Sequence, residues 1–175
     1  QSCVKQIGPS ILASSKQWLT EAIPRIVAQS NILRDKPMKE KISVCLITKN
    51  EARNISRVLR SCHGLDEIVV VDSQSDDNTV EIAESMGANC IVQPWLGFGE
   101  QKQKAVDRCR NDWVLSLDAD EELSTVFLKL LKVVDLSDPK KAFSFKRISF
   151  FLGKPVKFSG WQNDYVVRLF NRNYA

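Results

Sequence analysis

The sequence contains no long hydrophobic run and no glycine-rich phosphate-binding motif. Its longest apolar runs, such as Ile68 to Val71, are only a few residues long, whereas a membrane-spanning helix needs about 20. Neither the GxGxxG pattern of dinucleotide-binding folds nor the GxxxxGK[ST] pattern of P-loop proteins occurs. Because no positively charged apolar leader opens the chain either, we expect a soluble or peripherally bound protein.

Paired cysteines and clustered histidines are also lacking. His63 is the only histidine, so the Cys62-His63 pair has no second ligand pair for a metal. An odd number of unpaired cysteines argues against a disulfide framework and favours a reducing compartment, the cytoplasm. The five cysteines are scattered without a repeated spacing: Cys3, Cys45, Cys62, Cys90 and Cys109.

Acidic residues are nearly absent from the end of the chain. Residues 139–175 contain eight basic residues and one acid, Asp164, and residues 1–41 are basic as well. Residues 42–138 carry the opposite balance, with 17 acids against 10 basic residues. Basic flanks suit nucleic acid, anionic lipid headgroups or a phosphorylated substrate, and charge alone does not choose among them.

Residues 1–41 differ in pattern from the rest of the chain. From residue 11 to 27 apolar residues recur in a loosely amphipathic pattern that Pro24 interrupts, which predicts two short helices. We expect this helical N-terminal extension and its charged linker to pack on the main domain, with a position on a membrane surface as the alternative. The whole chain is 43% hydrophobic, and the remaining residues 42–175 suffice for one domain.

From residue 42 onward, short apolar runs alternate with segments of helical periodicity. The runs at 42–47, 67–72, 90–92 and 113–117 predict strands, and the segments between them predict helices. This alternation is typical of an α/β fold in which right-handed crossovers make the sheet parallel. The strand ends at Thr48, Asp72 and Asp118 would then meet at one edge of the sheet, where such folds bind ligands.

The segment WVLSLDADEE, residues 113–122, ends an apolar run in four carboxylates. Asp118 and Asp120 are two residues apart, so in an extended turn both can approach one Mg²⁺ or Mn²⁺ that takes further oxygens from a substrate diphosphate. The alternative is that these acids only favour the positive N-terminus of a following helix. The convergence of strand ends without a glycine-rich phosphate loop favours the metal.

Three segments in this order resemble the family-two glycosyltransferases of GT-A fold: SVCLITKNE (43–51), IVVVDSQSDDNT (68–79) and LDADE (117–121). GFGEQK (97–102) and GWQND (160–164), followed by Arg168-Leu169-Phe170, look like the lipopolysaccharide core β-glucosyltransferase subgroup. The resemblance covers about Ile42 to Tyr174. It implies a Rossmann-like, mostly parallel sheet flanked by helices, in a domain that we expect to be truncated at its C-terminus.

The resemblance also implies where the nucleotide binds. Thr48 and Glu51 would line the nucleotide pocket, and Asn50 would shape its turn. Asp72 would contact the base, with Ser73 beside it.

A second group would hold the sugar, the diphosphate and the metal. Asp118 would reach the ribose and the metal, and Asp120 the metal and the diphosphate. Gln101 and Lys102 would lie near the sugar or diphosphate at the start of their helix, where backbone N–H groups also favour anions. Arg168 could neutralise diphosphate oxygens, which a planar guanidinium does well.

The activity implied is an inverting transfer of a hexose, with UDP-glucose as the expected donor, to a lipopolysaccharide core saccharide at the inner face of the cytoplasmic membrane. An acceptor hydroxyl attacks the anomeric carbon while a carboxylate removes its proton, and Mg²⁺ or Mn²⁺ stabilises the departing charge. Asp164 is the candidate base, because it is the only acid after residue 138. A structural role for Asp164, as a turn residue before a strand, stays open.

Other functions remain open as well. A transferase that loads a polyprenyl phosphate would need a membrane anchor, which the sequence does not show. A truncated, non-catalytic module that binds nucleotide sugars would bind the donor without turnover. We expect no nucleic-acid partner, because the predicted ligand edge is acidic and would repel phosphates without a metal.

Overall fold

The computed structural model describes residues 4–12, 38–151, 154–156 and 164–174. Within these ranges the chain forms nine strands and four helices. The strands are β1 (Val4–Leu12), β2 (Ile42–Thr48), β3 (Glu67–Asp72), β4 (Asn89–Val92), β5 (Trp113–Asp118), β6 (Glu121–Leu123), β7 (Ala142–Phe151), β8 (Lys154–Pro155) and β9 (Tyr165–Asn171). The helices are α1 (Ile55–Ser61), α2 (Thr79–Ser85), α3 (Phe98–Asp107) and α4 (Thr125–Leu131).

The strands form one sheet in the order β4-β3-β2-β5-β9-β7-β1-β6, and β8 pairs with β7. The four strands from β4 to β5 are parallel. From β5 to β1 the neighbours are antiparallel, and β6 adds a parallel edge. The mixed α/β class is therefore confirmed, but the predicted mostly parallel sheet holds only for the half built by residues 42–118. Strands β9, β7 and β1 continue the sheet beyond β5, and each pairs antiparallel with its neighbour. Antiparallel pairing needs no helical crossover.

The core lies on both faces of the parallel half. Successive side chains of a strand point to opposite faces, so the apolar run of β2 supplies both. Val44 and Leu46 join the larger cluster with α1 and α4, whereas Cys45 joins a smaller cluster with Ala105 and Val106 of α3. This two-sided burial holds the strands rigidly. It also explains why their sequences are continuous apolar runs.

The carboxyl ends of the central strands meet as predicted. Thr48 pairs with Asp72, and Ile47 pairs with Asp118 on the other side of β2. The expectation that these three strand ends share one edge of the sheet is confirmed. This edge positions the candidate site.

The N-terminal segment departs from the helical prediction. Val4–Leu12 forms strand β1, which lies between β7 and β6 and pairs with both. Backbone hydrogen bonds on two sides and the complete burial of Ile7 hold this segment as a strand, and the predicted helical pattern of residues 11–27 overlaps it only at Ile11 and Leu12. Pro9 falls where the β1–β7 register shifts, a position at which a strand tolerates proline. The rest of the predicted helical extension, residues 13–37, lies outside the described residues.

The described helices are short, and none of them is long and apolar enough to cross a membrane. Helix α4 begins only after Ser124, whose side chain accepts a hydrogen bond from the N–H of Phe127 at 3.1 Å. Strand β6 separates this helix from Asp118 and Asp120. The alternative that the acids lie in the first turn of the following helix is therefore wrong.

Candidate functional site

A pocket of about 940 Å³ opens at the carboxyl ends of β2, β3 and β5. Six predicted site residues line it: Thr48, Glu51, Ser73, Lys102, Asp118 and Asp120. Residues from four separate segments thus face one space, because parallel strands bring their following loops to the same edge. The structure also adds lining residues that were not predicted: Lys5, Lys49, Gln74, Trp95 and Phe98.

Asp72 lies beneath the pocket rather than in its lining. Its side chain is fully buried, and Oδ2 accepts hydrogen bonds from Thr48 Oγ1 at 2.7 Å and Ser75 Oγ at 2.6 Å. Its Oδ1 accepts from the Ser75 N–H at 2.7 Å. Asp72 therefore holds Thr48 and the loop after β3 in place, which rigidifies one wall of the pocket.

Asn50 joins the loops after β2 and β3. Its φ of 56° lies in the left-handed region, which asparagine tolerates better than most residues. Its N–H donates to Ser75 Oγ at 2.8 Å, and its Oδ1 accepts from the Asp76 N–H at 2.8 Å. The neighbouring Glu51 lines the pocket and accepts a hydrogen bond from Asn54 Nδ2 at 2.8 Å.

Helix α3 sends two consecutive side chains in different directions. Gln101 is fully buried and does not line the pocket: its Nε2 donates to Ser73 Oγ at 2.9 Å, and its Oε1 accepts from Gln93 Nε2 at 2.9 Å. Lys102 reaches into the pocket, where its Nζ lies 2.8 Å from Asp118 Oδ1. Gly97 precedes the helix with a φ of 97°, a conformation that favours glycine.

Asp118 makes its closest contacts with two cations, Lys102 and Arg168. Oδ1 contacts Lys102, and Oδ2 accepts a hydrogen bond from Arg168 Nη2 at 2.7 Å. Burial raises the pKa of Asp118, but the charges of Arg168 and Lys102 outweigh burial and leave the pKa below its ordinary value. Asp118 is therefore held as a carboxylate in the free protein.

Glu121 belongs to the same cluster, although no role in the site was predicted for it from the sequence. It is completely buried, and its Oε1 accepts hydrogen bonds from Arg168 Nη2 at 2.6 Å and Arg147 Nη1 at 3.3 Å. Its Oε2 accepts from the Asp118 N–H at 3.1 Å. Glu121 thereby fixes the turn that carries Asp118 and Asp120. The sequence signal was its place in the run of four acids, but the run does not show which acid is buried.

Asp164 lies near the cluster but does not line the pocket. Strand β9 runs antiparallel to β5, so its start lies beside the end of β5. Asp164 Oδ2 accepts a hydrogen bond from Arg147 Nε at 2.7 Å, and Arg147 Nη1 is 3.8 Å from Asp118 Oδ2. One guanidinium thus connects the candidate base to the aspartate of the pocket.

Asp120 is paired with a residue from the N-terminal strand. Lys5 Nζ lies 2.8 Å from Asp120 Oδ2, and the Lys5 N–H donates to the Asp120 carbonyl at 3.2 Å. In the sequence, Lys5 belongs to the predicted extension outside the domain. No local pattern around Lys5 indicates this contact, because it depends on strand pairing across more than a hundred residues.

The two aspartates fit a divalent cation only in the company of other ligands. Both face the pocket, and oxygen ligands suit Mg²⁺ or Mn²⁺. Across the described ranges, however, no group of three or more His, Cys, Asp or Glu side chains could hold a metal ion. Each aspartate also has a cationic partner already. A metal here would need waters, or waters together with diphosphate oxygens, to complete its shell.

An exposed aromatic pair lines the pocket. The rings of Trp95 and Phe98 meet edge to face, with centroids 4.8 Å apart. They are 47% and 74% exposed, although large apolar side chains are usually buried. Such rings can stack on a planar base or on the apolar face of a sugar.

Comparison with known families agrees with this geometry. A family model described as "Glycosyl transferase family 2" matches residues 43–169. The match begins in β2 and ends in β9, so it contains every predicted site residue of the pocket.

Curated relatives carry similar descriptions. A protein of Rickettsia conorii described as an uncharacterized glycosyltransferase is 38% identical over 147 residues, which are 81% of this chain and 51% of that protein. The lipopolysaccharide core biosynthesis glycosyltransferase LpsC of Rhizobium meliloti is 33% identical over 95 residues, or 51% of this chain and 35% of LpsC. The chain thus spans about half the length of the Rickettsia relative, and less of LpsC.

Among solved structures, similarity extends to glucosyl-3-phosphoglycerate synthase from Mycobacterium tuberculosis in complex with Mn²⁺, uridine diphosphate and glucosyl-3-phosphoglycerate. The identity is 27%, the match covers 55% of this chain and 37% of that one, and the TM-score is 0.41.

Proposed function

The chain belongs to glycosyl transferase family 2, and we propose that it transfers a hexose from a nucleotide-diphosphate sugar, with inversion, to a saccharide of the lipopolysaccharide core. The proposed donor is UDP-glucose. The single observation that carries the donor site is the joint lining of one pocket by Thr48, Ser73, Lys102, Asp118 and Asp120.

The pocket lining combines two kinds of groups, which suits a nucleotide diphosphate. Thr48, Glu51 and Ser73 offer hydroxyl and carboxylate groups for the base and the ribose. Lys102 lies beside Asp118, and its ammonium can neutralise a phosphate oxygen. Asp72 and Gln101 hold Thr48 and Ser73 from behind, so in this proposal they position the donor without contacting it.

In the proposed reaction an acceptor hydroxyl oxygen forms a bond to the anomeric carbon as the bond from that carbon to the diphosphate oxygen breaks. The hydroxyl proton passes to a carboxylate, for which we propose Asp164. Arg147 holds Asp164 by a 2.7 Å hydrogen bond, so Asp164 must leave this partner, or share it, to take up a proton.

We propose Asp118 and Asp120 as the protein ligands of Mg²⁺ or Mn²⁺. Bound there, the ion would neutralise the negative charge that develops on the leaving diphosphate. Lys102 and Arg168 would add positive electrostatic potential around the bound ion and the diphosphate. Of these two, only Lys102 lines the pocket; Arg168 is buried behind Asp118.

The acceptor proposal is supported by the resemblance to lipopolysaccharide core transferases and by the relative LpsC, to which the match covers half of this chain. The basic C-terminal segment of the chain suits a phosphorylated, lipid-linked saccharide at the cytoplasmic face of a membrane.

Titration of UDP and hydrolysis of UDP-glucose by this chain, each with and without Mn²⁺, test the donor site. We expect UDP to bind more tightly with Mn²⁺, and Asp118→Asn and Asp120→Asn to abolish that gain. Glu122→Gln is the matched control, because Glu122 belongs to the same acidic run but pairs with Arg57 away from the pocket.

Three outcomes separate the possibilities. Release of UDP that depends on Mn²⁺ and on Asp120 supports a transferase. Binding that depends on both aspartates without any release supports a nucleotide-sugar-binding module. The proposal fails if UDP does not bind, or if Glu122→Gln weakens binding as much as the two aspartate variants do.

A further inference from the structure

Strand β1 brings a lysine into a pocket that is otherwise built by residues 47–120. Lys5 pairs in register with Glu121 of β6 on one side and with Ser149 of β7 on the other. Two residues further along, Ile7 is completely buried in the main core. The position of Lys5 is therefore set by the sheet and not by a loose terminus.

Two atoms of Lys5 contact the same residue. The backbone N–H donates to the Asp120 carbonyl at 3.2 Å, and the ammonium lies 2.8 Å from Asp120 Oδ2. The two side chains are 26% and 28% exposed. The strand thus fixes the lysine backbone beside Asp120, while the flexible stem leaves the ammonium free to turn toward the pocket.

The two aspartates of the pocket differ in how firmly they are held. Asp118 contacts Lys102 and also the buried Arg168, so it keeps a cation if Lys102 moves away. Over the ranges that the structure describes, the ion pair of Asp120 is with Lys5 alone. Asp120 is consequently the carboxylate that the motion of one side chain makes available.

We propose that Lys5 is a further donor-site residue that exchanges partners when the donor binds. Its ammonium neutralises Asp120 in the free protein, gives up this carboxylate when a divalent cation arrives, and then pairs with an oxygen of the donor diphosphate. This inference rests on the proposed function, which supplies the diphosphate. A partly exposed ion pair is weak enough to be exchanged in this way.

Removal of the lysine charge then has two opposite effects. In Lys5→Met, Asp120 loses its competing cation, so Mn²⁺ alone should bind about two- to fivefold more tightly, the range expected for one exposed ion pair. UDP without metal should bind more weakly by a similar factor, because the pocket has lost an ammonium. A lysine that only supported the strand would not produce effects of opposite sign.

The experiment uses the whole chain as wild type, Lys5→Met, Lys5→Arg and the control Lys41→Met. Free Mn²⁺ is followed by electron paramagnetic resonance without nucleotide, and UDP binding is measured by calorimetry with a chelator present. Lys41 is exposed and precedes β2. It therefore lies about 20 Å from the pocket end of that strand, beyond the range of a screened charge.

Tighter Mn²⁺ binding and weaker metal-free UDP binding in Lys5→Met, with Lys5→Arg close to wild type and Lys41→Met unchanged, support the exchange. Unchanged Mn²⁺ affinity, no Mn²⁺ binding to any variant, or a loss of both affinities overturns it. The Mn²⁺ titration contains no nucleotide, so it decides the competition for Asp120 independently. If wild type binds Mn²⁺ but no UDP, the proposed function fails while the competition between Lys5 and the cation is still measured.

Discussion

One nitrogen of Arg168, Nη2, donates to both Asp118 at 2.7 Å and Glu121 at 2.6 Å. Arg168 is 6% exposed and belongs to β9, whereas the two acids flank the turn between β5 and β6. The arginine therefore joins the last described strand to the turn that carries both pocket aspartates. Because Arg168 and Glu121 are both buried, each depends on the other for its charge balance.

Arg168→Met should destabilise the fold strongly. The change leaves the buried Glu121 with Arg147, at 3.3 Å, as its remaining cationic partner, and breaking a buried ion pair costs about 3–5 kcal/mol. Urea unfolding measures the decrease in the free energy of unfolding. Arg57→Met is the control: Arg57 also pairs with an acid of the same run, Glu122, but both are about one-third exposed, and such pairs contribute about 0–1 kcal/mol. Equal losses in the two variants would contradict a special role for Arg168.

The free energy of unfolding should fall on acidification below about pH 4. A carboxylate whose pKa is lowered by folding stabilises the folded state only while it is charged. Burial raises the pKa of Asp118, but Arg168 and Lys102 together leave it below its ordinary value of 3.8. Asp118 therefore contributes its full stabilisation above pH 3.8 and loses it as the pH falls through the lower pKa of the folded state. The urea midpoint, measured from pH 6 to pH 3, reports this loss.

Glu67 adds to the same acid sensitivity by a similar mechanism. Burial raises its pKa, but hydrogen bonds from Ser43 and Arg110 outweigh it and lower the pKa below 4.5. Asp118→Asn should flatten the part of the profile below pH 4, and Glu67→Gln the part that begins near pH 4.5. A profile that keeps its full slope in the double variant would show that other groups cause the acid sensitivity.

Gln101→Ala should lower the free energy of unfolding by about 1–3 kcal/mol, because the change leaves Gln93 and Ser73 without a buried partner. Gln103→Ala on the same helix is the control, since its hydrogen bond to Asp107 is exposed and its loss should change stability by less than about 0.5 kcal/mol. Urea unfolding of both variants is the measurement. Similar values would mean that the buried link does not hold the pocket wall.

Phe98→Ala should weaken UDP-glucose binding without affecting stability. The ring is 74% exposed and lines the pocket, so removing it should cost a stacking contact, about two- to tenfold in affinity. Phe127→Ala gives the opposite pattern, because Phe127 is fully buried and its loss should cost about 3–5 kcal/mol of stability. Calorimetric titration and urea unfolding separate the two effects. Unchanged donor affinity in Phe98→Ala would exclude the ring from the donor site.

The strands of the parallel half could be predicted because each is a buried apolar run with a polar end. The predicted run 67–72 matches β3, and the runs at 42–47 and 113–117 differ from β2 and β5 by one residue each. Since parallel strands align their ends, Thr48, Asp72 and Asp118 could be placed on one edge without coordinates. The expected family is confirmed by the match over residues 43–169.

The division of roles among those residues required the structure. Asp72 was expected to contact the base and Gln101 to lie near the sugar or diphosphate, yet both are completely buried behind the pocket. Glu121 and Asp120 are neighbours in the same acidic run, but one is completely buried and the other is partly exposed to the pocket. Sequence spacing does not reveal this, because burial depends on which side of a short strand faces the core.

The sequence by itself determined the alternation of strands and helices, the acids at the end of β5 and the family, because these follow from local periodicity and from motifs in order. Only the tertiary structure decided that β1 inserts between β6 and β7, that Lys5 reaches Asp120, and that Arg168 joins Asp118 to Glu121. The side-chain contacts join residues 47 to 115 positions apart, and β1 pairs with residues of β7 up to 146 positions away. Their formation depends on strand pairing and charge balance in the folded chain, which no single stretch of sequence encodes.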